Sequence, residues 1–171
     1  MQAYKITGLK DFMNKLLVSN SFDCFLMEEG TVTTCNTFSI DGRIKKEFYT
    51  REEQENTPCP YDFSLWKDMK TLCFDLIKGK RTPLNFKFVF LLLPEQTEKL
   101  LADGGFDNRS NILQYLSLII KYDGSGITLV TGISTETFLM DKTPDRIWDQ
   151  AFVRFLEKYQ IAWEDTSISS S

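Results

Sequence analysis

FKFVFLLLPEQTEKLL, residues 86–101, runs an apolar segment, unbroken from Phe88 to Leu93, into a proline and then into a helical pattern. A short run of Phe, Val and Leu bounded in this way reads as a buried strand. Pro94 suits the first turn of a helix, where its missing N–H is not needed, and Gly104-Gly105 stops that helix. A second stretch, AYKITGLKDFMNKLL (residues 3–17), repeats the order: strand, helix, then Lys-Leu-Leu. There Thr7 is the expected cap, and Leu9, Phe12, Met13, Leu16 and Leu17 share one helical face. Each stretch is followed by a strand, a glycine turn and another strand. FDCFLMEE (22–29) and the segment from Thr31 follow the first; NILQYLSLIIKY (111–122) and GITLVTGIS (126–134) flank DGSG after the second.

Two further helices are expected. One follows Asp62 as its cap, with Phe63, Trp66, Met69, Cys73, Leu76 and Ile77 on its apolar stripe and Gly79 at its end. The other opens at Thr143 and Pro144 and carries Ile147, Trp148, Ala151, Phe152, Phe155, Leu156 and Tyr159. Between these landmarks, TVTTCNTFSIDGRIKKEFYT (31–50) reads as a hairpin about Asp41-Gly42. A three-residue loop through Arg43 pairs Ile40 with Ile44 and keeps both on the core side, with Arg43, Lys45, Glu47 and Tyr49 facing outward. TREEQENTPCPYD (50–62), polar and broken by two prolines, reads as a loop or flap. These elements give an α+β fold: a mainly antiparallel sheet of about six or seven strands with packed helices, in one domain over residues 1–165, then a disordered tail at 166–171.

The paired strand-helix-strand-strand pattern, over residues 3–50 and 86–140, resembles the repeated halves of one DNA sliding-clamp domain. That resemblance implies two pseudo-repeated halves and an accessory role on nucleic acid. Through FMNKLLVS (12–19) and NTFSIDGRI (36–44), the chain also looks like an uncharacterised bacterial family of unknown function, a likeness that implies no activity.

Composition narrows the chemistry. The chain has 171 residues, 42% of them hydrophobic, 14 Phe, a net charge of −4 and no histidine. A length of this order buries roughly 70% of the unfolded surface, enough for a core without staples. Phosphate neutralisation supplies most nucleic-acid affinity, so an acidic chain disfavours that partner. Cys24, Cys35, Cys59 and Cys73 form no close pair; this argues against a zinc site or a secreted disulfide scaffold and for free thiols in the cytoplasm. No apolar run approaches the ~20 residues of a membrane helix.

No motif for a nucleotide, a metal or a catalytic triad is found, so no catalytic, cofactor or metal residue is assigned. Cys35 lacks the histidine that normally activates a thiol, and reads as an ordinary strand residue. Glu28 with Glu29, or Asp141 with Asp145, would act as an acid pair only by converging in a cleft, and Asp145 suits a helix first turn. Trp66 and Trp148 belong to core stripes, whereas Trp163 is the more exposed contact candidate. The expected function is a non-catalytic intracellular interaction module, meeting a protein partner or a second copy. Arg43, Lys45, Glu47 and Tyr49, and separately Lys78, Lys80 and Arg81, are its candidate surface. A clamp-like nucleic-acid accessory and a small-molecule enzyme or binder using carboxylate, Lys or Tyr groups are the alternatives.

Overall fold

A computed structural model of the chain describes residues 1–56 and 60–166. The described residues form β1 (Ala3–Ile6), α1 (Leu9–Leu17), β2 (Phe25–Thr33), β3 (Thr37–Asp41), α2 (Arg51–Asn56), β4 (Ser64–Leu65) and α3 (Trp66–Ile77), followed by β5 (Asn85–Leu92), α4 (Pro94–Asp103), β6 (Leu113–Tyr122), β7 (Ile127–Thr135), α5 (Thr143–Lys158) and β8 (Trp163–Asp165). Seven strands lie in the order β3-β2-β5-β6-β7-β1-β8, and β4 pairs with β2 off this path. Every pairing is antiparallel. This is the expected α+β class.

Alternation along the strands explains the layering. Phe86, Phe88, Phe90 and Leu92 of β5 point to one face, as do Leu116, Leu118 and Ile120 of β6, and all are buried. Helices α1, α3 and α5 cover that face with Phe12, Leu16, Trp66, Cys73, Trp148 and Phe152. The aromatic content becomes a continuous ring network: Trp66 stands 4.7 Å from Phe90, and Phe25 stands 5.7 Å from Phe90. Both buried indoles are satisfied, Trp66 Nε1 donating to the Leu16 carbonyl at 3.1 Å and Trp148 Nε1 to the Ser117 carbonyl at 2.8 Å. The first of these bonds pairs a carbonyl in the last turn of α1, which has no partner within the helix.

On the opposite face, Leu26, Phe63 and Leu91 form a separate small cluster where residues 60–65 cross the sheet. Beyond it that face is mixed: Val89, Ile119 and Val130 lie abreast across three strands, and beside them Lys87 of β5 stands directly opposite Lys121 of β6.

Several expectations are corrected. The element order strand-helix-strand-strand does recur, but its pairing does not: β5 pairs with β6, whereas β1 lies at the far side of the sheet from β2. The two stretches therefore do not share one pairing pattern, and the sheet order does not bear out two repeated halves. The hairpin in residues 31–50 lies earlier than Asp41-Gly42. β2 and β3 pair Val32 with Phe38 and Gly30 with Ile40, so the partner of Ile40 is Gly30, not Ile44. Cys35 consequently sits in the exposed turn between these strands rather than within one. A short helix, α2, occupies part of the expected loop, and residues 57–59, with Cys59, lie outside the described residues. Gly8, not Thr7, stands at the α1 cap position, and α3 begins at Trp66, not after Asp62. Trp163 is a strand residue opposite Ile6, packed edge-on against Tyr4 at 5.2 Å. Of the expected tail, Thr166 is described, and its hydroxyl donates to the Ala3 carbonyl at 3.0 Å.

Candidate functional site

The chain after β3 does not turn back on itself. It passes over β2 with almost no clearance, because Gly42 presents no side chain to the Met27 carbonyl. The Gly42 N–H donates to the Glu28 carbonyl at 2.9 Å, and the Gly42 carbonyl accepts from Ser64 N–H at 2.8 Å. The Ile44 N–H then donates to the Asp62 carbonyl at 2.9 Å. This lacing joins residues 42–44 to residues 62–64, with Arg43 bridging Phe63. The Asp41 side chain shapes the corner, accepting from Arg43 N–H at 3.0 Å and from Lys45 Nζ at 2.8 Å. Asp-Gly thus marks a real turn, though not a hairpin.

Beside the lacing lies a cleft of about 490 Å³, walled by Glu28, Arg43, Asp62, Phe63, Leu91, Gln114, Tyr115 and Glu136 among others. Its position coincides with the sheet's irregularities. In β2, Met27 pairs with Phe90 and Glu29 with Val89, so Glu28 is an extra residue bulged out of register. In β6, Leu113 pairs with Thr135 and Tyr115 with Ser134, so Gln114 is a second bulge. Asn111, also at the cleft, has φ 52°, a left-handed conformation uncommon outside glycine. Bulges re-aim side chains and are over-represented beside active sites.

The electrostatics are those of a compact cluster. Burial, and then the neighbouring Glu29 carboxylate, push the Glu28 carboxyl upward, against the pull of Arg43. Burial also raises the Tyr115 phenol; Asp62 and Glu28 add to that rise and Arg43 opposes it. The Arg43 guanidinium lies 4.8 Å over the Phe63 ring, which in turn meets Tyr115 edge-on at 5.9 Å. Gln114 Nε2 donates to Glu136 Oε1 at 3.2 Å. Three carboxylates, Glu28, Asp62 and Glu136, and one guanidinium therefore line the same cleft, together with the rings of Phe63 and Tyr115. Among the described residues, no group of three His, Cys, Asp or Glu stands close enough to hold a metal ion.

The sequence-derived surface splits. Arg43 enters the cleft, whereas Lys45 turns to Asp41, and Glu47 and Tyr49 are exposed beyond it, at a 3-10 turn over Lys46–Phe48. The outward row of four is therefore absent, because the strand supposed to carry it is not formed. Lys78, Lys80 and Arg81 stand together at a different place, the rim of a smaller pit. Cys24 and Cys73 are raised by burial to about 12, which removes them as nucleophiles at neutral pH. Glu28 and Glu29 diverge: Glu28 lines the cleft, while Glu29 lies near Asp41 and Lys87. Asp62 reads from sequence as a helix cap and not as a cleft residue, and nothing in the sequence marks Gln114 or Glu136: a bulge leaves no periodic signal, and Asp62 and Glu136 lie just outside the strands.

The model of a family of unknown function (DUF5721) matches residues 15–164. The chain belongs to that family. The matched stretch includes all the cleft residues named above. No curated protein and no solved structure matches the chain. Among the described residues, no helix is long and apolar enough to cross a membrane.

Proposed function

We propose that this chain is a binding module for a small cationic molecule, an amine or guanidine, and that the cleft at Glu28 is its site. The observation that carries the reading is the convergence of two strand bulges on one cavity, each supplying a polar side chain to it. A concave site with aromatic walls and a few convergent polar groups is the usual form of a small-ligand pocket. Glu28 and Asp62 receive the cationic group, Tyr115 supplies a hydroxyl, and Arg43, held against Phe63, meets an acceptor on the ligand. The excess of carboxylates over guanidinium sets the preference for net positive charge.

A thermal-shift series with agmatine, spermidine and lysine tests this. A ligand that binds only the folded state raises the melting temperature in proportion to the logarithm of its excess over Kd. The rise is expected with at least one probe and is lost in a Glu28→Gln/Asp62→Asn variant. Absence of any rise, or one that the double variant retains, sinks the proposal.

The exposed Phe48, Tyr49, Phe138 and Met140 favour a second reading, a module that also meets a protein partner or a second copy. Unpaired Cys24, Cys35 and Cys73 support a reducing, cytoplasmic setting for either. Replacing Phe48 and Phe138 by Ser is expected to abolish specific recovery of a partner from native cells; an unchanged recovery rejects this second reading.

A further inference from the structure

The pit carrying Lys78, Lys80 and Arg81 lies apart from the cleft, where α1 and the end of α3 meet the start of β5 and the end of β6. It measures about 210 Å³. Its walls are apolar and anchored in the core: Ile77, Phe86 and Tyr122 are each under a tenth exposed, and Leu9 and Met13 complete them from α1. The Tyr122 hydroxyl is already donated to the Gly124 carbonyl at 3.1 Å, so that residue offers its ring to the pit. All the charged residues that line it are cationic. Lys78 is engaged, pairing with Asp75 at 3.1 Å and lying 5.3 Å over Phe74. Among the described residues, neither Lys80 nor Arg81 forms an ion pair, and both are exposed.

We propose that this pit binds a free straight-chain carboxylic acid of medium length, its alkyl chain on Met13, Ile77 and Phe86 and its carboxylate on Lys80 and Arg81. Charge complementarity selects the head group: two unpaired cations stand at the mouth of an apolar hole, on a chain whose net charge is −4. Arg binds a carboxylate through two parallel N–H donors, the strongest geometry available to an exposed cation. Size selects the tail, since the pit falls below the roughly 300–1,000 Å³ of pockets that hold drug-sized ligands. The negative end of the α3 dipole is met by Lys78, which leaves the two cations beyond Gly79 for the ligand. A nucleic-acid strand has no use for a hole of this shape without an exposed stacking ring.

The test is a titration of the intact chain with octanoate below its micelle concentration, followed by methyl NMR. Saturable shifts are expected at Leu9, Met13 and Ile77. Octan-1-ol is expected to bind at least tenfold more weakly, and a Lys80→Glu/Arg81→Glu variant to lose octanoate by at least tenfold while keeping its octan-1-ol response. Both substitutions are at exposed positions, and circular dichroism checks that the fold is kept. Equal binding of octan-1-ol, unchanged octanoate binding by the double variant, or shifts confined to other methyls overturns the proposal. So does binding of anionic vesicles without saturable octanoate binding.

Discussion

Gly42 lies flat against Met27: a Cβ on Gly42 would stand 1.8 Å from the Met27 carbonyl oxygen. No backbone atom can yield that much without moving a strand, so this position admits only glycine. Gly42→Ala is expected to cost about 1–3 kcal/mol or more, as overpacking does, with loss of the lacing that walls the cleft. Gly126→Ala is the control, since nothing lies within 4 Å of its added Cβ; it is expected to stay within about 0.5 kcal/mol. Urea unfolding of the two variants decides the matter, and equal midpoints contradict it.

Lys87 and Lys121 face each other across β5 and β6 with no ion pair to either among the described residues. Like charges directly opposite are unfavourable, and opposite charges there contribute about 0.2–1 kcal/mol. Lys121→Glu is therefore expected to raise stability within that range at low ionic strength. The gain should shrink as salt is added. A loss of stability at low salt contradicts the pairing.

Glu28 titrates above the ordinary carboxyl value of 4.5. The folded chain then binds its proton more tightly than the unfolded chain does. Between 4.5 and the raised value, stability falls as pH rises. Glu28→Gln removes this dependence, so the variant gains on the wild type as pH climbs through that window. An amine probe behaves oppositely, binding the wild type more tightly as Glu28 ionises. A flat stability difference between pH 4 and 7 contradicts the assignment.

Thiol labelling separates the cysteines. Cys73 is buried, Cys24 half-buried, and both thiols are raised to about 12, whereas Cys35 sits on the exposed β2–β3 turn. Iodoacetamide at pH 8 is expected to modify Cys35 of the native protein well before Cys24 or Cys73, read by peptide mass spectrometry. Labelling of Cys73 at the Cys35 rate contradicts the packing of α3.

Periodic residues were the legible ones. The stripe Ile147, Trp148, Phe152 and Leu156 announces α5, and the alternating Phe86, Phe88 and Phe90 announce β5, because burial repeats with the element's own period. The cleft carries no such signature. Glu28 and Gln114 reach it by breaking the alternation, and Arg43 and Asp62 by a crossing of the sheet whose geometry rests on tertiary contact. Asp41-Gly42 misled for a related reason. The dipeptide favours a tight hairpin, yet here glycine is required by the approach of the Met27 carbonyl, fifteen residues away in sequence and invisible to local propensity. Only Arg43 among the outward-facing candidates reached the cleft, and it did so after the strand presumed to carry it proved not to form.

The position of β1 also constrains when the molecule can be completed. Ala3 pairs with Val130, and Ile6 pairs with Trp163, so the earliest strand is held on both sides by late ones. During synthesis β1 has no strand to pair with until β7, and then β8, have left the ribosome. Such long-range closure is slow, on the order of milliseconds to seconds for sheet-rich topologies. Until it occurs, the β7 edge stands open, and β1 is what closes it.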